Sequence, residues 1–381
     1  MRSKLTAHHG RPVYVRECFA ICAAAPDEAR LWSALLAGQR ALALHHDVRA
    51  EQAVWAARIP QASLPQGDRT LALCEAIADQ LLASPALGAL DRQRLGLALG
   101  TTQGAILRWQ AQQRSAPHDV PGLYAPLLAL RQRLASGGPL SCPSTGCTSG
   151  SIAIATAAQW IREGRCDAAL AGGVDVVSEF VQAGFEALRA LDPSGPRPFD
   201  ATRAGTALGD GIGLLLLSYE PGADPVRLAG WGAANDANHL TGPDPQGSGL
   251  ALAIRSALEL ARLDAANIDL LNAHGTGTRY NDQMECNAFH QLLGRRASQL
   301  PLCAIKGAIG HTLAAAGALE AACCVRSLRE QRVPPTVGCE AVDPALDLDV
   351  VCRAPRDVRL NVALSTSAAF GGNNAALLFT R

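Results

Sequence analysis

The sequence has few aromatic residues and no net charge. Aromatics make up 4% of 381 residues, which excludes a platform for stacking nucleic-acid bases. The 34 basic side chains are offset by 34 acidic ones, so the electrostatic footprint of a nucleic-acid partner is missing. No apolar run approaches the length of a membrane span. The opening MRSKLTAHHGRP lacks the apolar core of a signal peptide, so the expected compartment is the cytoplasm, with the first ten residues a loose tail. Lysine is nearly absent: of 34 basic residues only Lys4 and Lys306 are lysines. No pair of Cys-x-x-Cys hooks exists. Cys18 and Cys22 are four apart and Cys323 and Cys324 are adjacent, neither the spacing of a structural zinc site. In a reducing compartment the twelve cysteines read as small buried hydrophobes rather than disulfides.

What is present suits a large core. The chain is 48% hydrophobic and 18% charged, as in one big domain or two fused halves. Short β-rich runs end in glycine, as in LGLALGTTQG (95–104), and ALLFTR closes the chain. Between such runs lie helical stretches such as DEARLWSALLAG (27–38) and LALAIRSALELARL (250–263). The alternation predicts an α/β fold. YEPGADPVRLAG (219–230) has the residues of a connection and marks the middle, giving halves of 1–222 and 223–381.

One uncharged stretch, PSTGCTSGSIAIATAAQWI (143–161), places Cys147 in a glycine-flanked turn before a buried helix. Thr148 and Ser149 are expected to cap backbone N–H groups there. A thiol at a helix N-terminus feels the positive end of the dipole, so its thiolate is expected to be favoured. The alternative is a packed core cysteine. A second helix repeats the first. Counting from Cys147, Thr follows at once, then Ala157-Ala158, then Ile161-Arg162; the same offsets from His311 give Thr312, Ala321-Ala322 and Val325-Arg326. The repeat suggests two equivalent helices whose leading side chains, Cys147 and His311, face one another.

Two further segments read as site loops. DLLNAHGTGTRYND (269–282) ends an apolar run in His274 and a Gly-Thr-Gly-Thr turn, whose hydroxyls suit a thin polar ligand arm. STSAAFGGNNAALLF (365–379) sets Gly371-Gly372 before a terminal strand, where backbone must pass close to something.

In these motifs the chain resembles the β-ketoacyl-acyl carrier protein synthases of the thiolase fold. TGCTSG stands at that family's cysteine elbow. NAHGTGT and IKGAIGHTLAAAGALE match its histidine motifs, RPFDATRAGTALGDGIGLLLL its central stretch, and AAFGGNN its C-terminal glycine loop. Departures are Gly146 and Thr148 beside the cysteine, Arg279-Tyr280 where the family usually has proline and a small residue, and Asn373-Asn374. The resemblance implies a thiolase-like fold of two pseudo-duplicated halves layered αβαβα. It implies an acyl chain carried as a thioester on Cys147 and extended by decarboxylative condensation with malonyl-acyl carrier protein. In that chemistry His274 and His311 stabilise the enolate, the backbone N–H groups of Cys147 and Phe370 form an oxyanion hole, and Phe370 gates the acyl pocket. Thr276 and Thr278 hold the phosphopantetheine. No metal or organic cofactor does chemistry; substrates ride on the 4'-phosphopantetheine of acyl carrier protein. Partners would be that carrier and a second chain, the same or a chain-length-factor-like homologue. A structural cation near Asn272, Glu285 and Glu320 is also implied. HLTGPDPQGSG (239–249) and AAFGGNN resemble the stand-alone synthases of aryl-polyene-type pathways more than those of fatty-acid synthesis, and the resemblance implies a polyene or polyketide pathway.

Lys306 stands out because this composition otherwise uses arginine. A compact ammonium with three donors cannot be replaced by a planar fork in a tight polar site. Lys306 is expected to be buried and to orient His274, His311 or Glu285. Competing readings are a non-condensing partner subunit, a thiolase acting on acyl-coenzyme A, and a non-enzymatic Cys-rich redox or metal protein. The intact Cys147, His274 and His311 set argues against the first, and the two histidine motifs against the second.

Overall fold

A computed structural model describes residues 10–45, 53–108 and 122–381. The expected loose tail lies almost wholly outside the described residues. Ten strands form the main sheet: β1 (Tyr14–Cys22), β2 (Leu95–Gly100), β3 (Leu140–Ser141), β4 (Ala168–Asp175), β5 (Gly211–Ser218), β6 (Val226–Asn235), β7 (Leu270–Asn272), β8 (Leu302–Cys303), β9 (Val362–Ala369) and β10 (Asn373–Thr380). The main helices are α1 (Glu28–Leu36), α2 (Arg69–Ala83), α3 (Ala125–Leu134), α4 (Ser149–Arg162), α5 (Glu179–Ala187), α6 (Ser248–Ala261), α7 (Arg279–Leu293) and α8 (Ala316–Glu330). The connection expected over 219–230 is shorter, because β6 already begins at Val226.

Strand order is β8-β7-β9-β10-β6-β1-β5-β4-β2-β3. From the middle outward, β1 pairs antiparallel with β5, β5 antiparallel with β4, β4 parallel with β2, and β2 parallel with β3. On the other side β6, β10, β9, β7 and β8 run through the same antiparallel, antiparallel, parallel, parallel series. The two series join only where Tyr14 and Val15 pair with Arg227 and Val226.

The strands read as continuous apolar runs because both faces are buried. In β5, Leu214 and Leu216 enter an outer core with Leu73 and Ile77 of α2 and Leu127 of α3. Leu215 and Leu217 enter the central core with Ala153 and Ile154 of α4 and Ala318 and Leu319 of α8. Across the molecule Leu377 and Phe379 of β10 face that central core. Ala376 and Leu378 face the opposite outer core, with Ile254 of α6 and Phe289 of α7. The period-two alternation thus sorts side chains into helix, sheet, helix, sheet and helix layers.

The central helices approach closely because each carries a glycine at the contact. A Cβ on Gly150 would lie 2.4 Å from the Ala314 carbonyl oxygen, and one on Gly317 would lie 2.0 Å from Ser151 Oγ. Neither position admits a side chain, and this close contact sets the start of α4 against the approach to α8.

Candidate active site

The turn before α4 is held by its own hydroxyls. Gly146 takes φ +64°, a left-handed conformation natural to glycine. Thr148 Oγ1 donates to the Thr145 carbonyl at 2.8 Å, and Ser149 Oγ donates to the Gly146 carbonyl while accepting from Thr145 N at 2.9 Å. The expected capping of helix N–H groups by Thr148 and Ser149 is therefore corrected: both hydroxyls brace the turn that presents Cys147.

His311 approaches from the other half. Its backbone N donates to the Ala207 carbonyl at 2.6 Å and its carbonyl accepts from Gly209 N at 2.9 Å. A residue of the second half is thus strapped to backbone of the first. Its Nε2 lies 3.0 Å from Cys147 Sγ, so the two helix-leading residues do face one another. His274 follows β7, and its ring is edge-on to His311 with centroids 5.2 Å apart. Glu285 of α7 holds that turn, accepting from His274 N and Gly275 N at 2.7 Å each.

Both imidazole tautomers follow from their partners. Leu313 N donates to His311 Nδ1 at 3.3 Å, and the Lys306 ammonium lies 3.0 Å from His274 Nδ1 as its donor. With Nδ1 accepting in each ring, the neutral form carries its proton on Nε2. Burial first, and then the Lys306 charge, hold both imidazoles well below their usual range; His311 adds to the effect on His274. The site therefore contains two neutral rings with donating Nε2–H groups.

The thiol behaves differently from expectation. Burial pushes Cys147 up to about 12, with Lys306 acting in the opposite direction. Desolvation thus works against the thiolate that the helix N-terminus is expected to favour. Cys142, the nearest other cysteine, is also raised by burial and lies beside the Leu123 carbonyl.

Lys306 is 1% exposed. Its ammonium donates to the His274 carbonyl at 2.5 Å, and it pairs with Glu320. Of the three groups it was expected to orient, it bonds His274 directly; His311 is set by the Leu313 amide. The residues of the implied cation set are only partly occupied. Both Glu285 oxygens are taken by four donors, the His274 and Gly275 amides, Thr366 Oγ1 and Asn281 Nδ2. Glu320 holds Lys306 through one oxygen and Asn272 Nδ2 donates to the Glu320 carbonyl, whereas Asn272 Oδ1 and Glu320 Oε2 are buried with no hydrogen bond among the described residues to satisfy them. The Lys306 ammonium supplies one positive charge there, and the two unpartnered oxygens are the donors the implied cation would use.

Cys147, His274, His311, Thr276, Thr278 and Phe370 all line one cavity of about 480 Å³, a size suited to a small ligand. Thr276 and Thr278 hydroxyls are 2.9 Å apart. The Phe370 loop packs on the cysteine turn, since a Cβ on Gly146 would lie 3.1 Å from that of Ala369. Two contributors were not anticipated. Phe185 on α5 stacks on Phe370 at 5.5 Å between centroids and lies 6.3 Å from His311. Asp175, at the end of β4, accepts from Thr101 Oγ1, Thr102 N and Ala314 N, tying the approach to α8 to the first half. Burial raises Asp175 to about 6. Its signal was a lone acid ending the glycine strand AALAGGVD; Phe185 left none.

A layered α/β frame with a buried cysteine and two histidines meeting across its halves defines a thiolase-like acyl-transfer site. Residues 72–221 match the model of the beta-ketoacyl synthase N-terminal domain and 226–340 that of the C-terminal domain. A putative polyketide beta-ketoacyl synthase 1 of Streptomyces halstedii is 38% identical over 320 residues, 76% of each chain. The tetracenomycin polyketide synthase ketoacyl synthase alpha subunit of Streptomyces glaucescens is 33% identical, over 82% of this chain and 81% of that one. Among solved structures, a ketosynthase in complex with its chain length factor from Xenorhabdus doucetiae superposes with a TM-score of 0.84 at 29% identity, over 97% and 98% of the two chains. A beta-ketoacyl synthase from Burkholderia phymatum gives 0.85 at 28% identity, over 97% and 99%. The chain belongs to the beta-ketoacyl synthase family, the acyl-transferring condensing enzymes, which displaces the non-enzymatic and thiolase readings.

Proposed function

We propose that this chain takes an acyl group from the phosphopantetheine of an acyl carrier protein onto Cys147 and extends it with a malonyl unit in polyketide or polyene assembly. Cys147 Sγ attacks the incoming thioester, its proton leaving to the departing carrier thiol. Malonyl-carrier protein then enters with its arm along Thr276 and Thr278. The Nε2–H groups of His274 and His311 donate to its thioester oxygen, carbon dioxide leaves, and the enolate attacks the acyl-Cys147 carbonyl. The backbone N–H groups of Cys147 and Phe370 receive the resulting oxyanion, and Cys147 departs as leaving group. The observation that carries this reading is a buried thiol 3.0 Å from His311 Nε2 in a cavity shared with a second Nε2–H donor. No organic cofactor is invoked.

The pathway reading draws on the polyketide names of the Streptomyces relatives. A second chain, a chain-length-factor-like homologue or a copy of this one, is proposed by likeness to the Xenorhabdus complex. A cytoplasmic location fits the absence, among the described residues, of a helix long and apolar enough to cross a membrane. The repeated strand series supports reading 1–222 and 223–381 as duplicated halves.

Intact-mass measurement after incubation with acyl-carrier proteins of varied length and unsaturation tests the reading. The wild type should gain one acyl mass and Cys147→Ala none. Peptide mapping that finds the acyl group on Cys142 would overturn the assignment.

A further inference from the structure

We propose that Arg279 and Arg189 at the cavity mouth form an anion subsite that holds the phosphodiester of the 4'-phosphopantetheine arm. The proposal rests on the condensing reading of the same cavity and adds to it the residues that grip the far end of the substrate arm.

Three observations meet here. First, the cavity wall around Cys147 includes Arg189 and Arg279 and, among the described residues, no aspartate or glutamate. Both arginines are exposed, so they belong to the mouth, whereas Cys147, His274 and His311 are buried. Second, neither guanidinium is ion-paired among the described residues. Arg279 makes only a long bond of 3.4 Å from Nε to the Arg203 carbonyl. Asp343, the acid whose field Arg279 reaches, is already bonded to Arg203 at 2.7 Å. Elsewhere in the fold arginines are neutralised: Arg197 pairs with Asp192 and Arg69 with Asp210. Third, the two residues break local rules. Arg189 sits just past α5 with φ +53°, a left-handed position where glycine costs less. Arg279 follows Thr276 and Thr278 directly and opens α7, where Thr278 makes no capping bond through its side chain. Its guanidinium thus stands at the positive end of a helix, beside the two hydroxyls that line the arm's path.

The chemistry of the arm completes the argument. With its thioester at Cys147, the pantetheine must run outward past Thr276 and Thr278. Its other end is a phosphate, a diester monoanion where it is linked to the carrier. That anion arrives at the mouth, where a planar guanidinium offers paired N–H donors to phosphate oxygens. Exposed pairing is weak singly and screened by salt, so two arginines lining the same cavity, one just past α5 and one opening α7, would serve where one would not.

The test compares three malonyl donors on the wild type, Arg279→Gln, Arg189→Gln and the double variant: malonyl-carrier protein, malonyl-4'-phosphopantetheine and malonyl-pantetheine, which lacks the phosphate. Wild type should prefer the phosphorylated thioester to the unphosphorylated one. In the double variant kcat/KM for malonyl-4'-phosphopantetheine should fall about tenfold, through KM, while malonyl-pantetheine is used as well as before. The preference should also shrink as salt rises, and Arg279→Lys should recover part of it. A fall for carrier-bound malonyl alone, with both small thioesters unchanged, would mean that the arginines touch carrier surface and would overturn the phosphodiester assignment. An equal fall for both small thioesters would mean a structural role and would overturn it too. If the wild type condenses none of the three donors, the underlying condensing reading fails instead.

Discussion

The two halves of the molecule share a strand series yet meet the site with different chemistry. The first half brings Cys147 on an uncharged turn of threonine, glycine and serine. The second brings His274, His311, Lys306, Glu285 and Glu320, all buried. Burial alone moves the two kinds of group in opposite directions, raising the thiol and lowering the imidazoles. A single ammonium then acts on both. Lys306 disfavours a proton on either imidazole and eases proton loss from Cys147. The apolar half therefore supplies a nucleophile, and the charged half keeps its donors neutral and steers that nucleophile. Equivalent positions in a duplicated frame diverge by where one lysine is placed.

The sharpest way to break this comparison is to remove the histidines one at a time. His274→Ala and His311→Ala should still permit acylation of Cys147, because the thiol sits on the other half. Condensation with malonyl-carrier protein should drop by roughly 10²–10⁴-fold, the scale of a lost oriented donor or general acid–base group. His311→Ala should also slow acylation more than His274→Ala does, since only His311 touches Cys147 Sγ. Near wild-type condensation in both folded variants would remove the division of labour.

Lys306→Arg tests the shared ammonium at constant charge. Arginine is longer and planar, and the pocket already holds the His274 carbonyl, His274 Nδ1 and Glu320 around Nζ. Displacing His274 by about 1 Å should cost on the order of a hundredfold in decarboxylation rate. Arg255→Lys, on the exposed face of α6, is a suitable control and should be silent. Equal rates in both variants would show that the lysine is interchangeable.

Much of this site could be read from the sequence, and the parts that could not have physical reasons. The continuous apolar run of β5 and the matched offsets after Cys147 and His311 survive in one dimension because packing on both faces demands them. The solitary Lys306 was visible because composition elsewhere favours arginine. The hydroxyls of Thr148 and Ser149 were misread because their direction depends on the turn at Gly146, whose φ the residue type permits but does not fix. The upward push on the Cys147 thiol was not legible because a helix N-terminus is visible in sequence and the depth of burial is not. Within the cation set, only the folded chain shows Glu285 occupied by four donors while Asn272 Oδ1 and Glu320 Oε2 stay unpartnered among the described residues. Phe185 carried no signal because its role comes from stacking on a loop 185 residues away in sequence.

The smallest expected effect is in pH dependence, and it bears on the neutrality of the charged half. An ordinary histidine gains its proton near pH 6.5. His274 and His311 are both held well below that, by burial and then by Lys306. Protonation at Nδ1 would set a new N–H against the Lys306 ammonium in one ring and the Leu313 amide in the other. The decarboxylation rate should therefore stay level as pH falls from about 8 through 6.5, and decline only further into acid. Stability should respond with the opposite timing. The unfolded chain takes up these two protons first, near 6.5, so the folded state is favoured above that value and loses ground as pH falls below it. Replacing the ammonium by Lys306→Met should move the rate decline upward, part of the way toward 6.5, since burial remains. A wild-type rate that halves near pH 6.5, with no loss of folded protein, would mean that the imidazoles titrate freely and that the charged half does not keep them neutral.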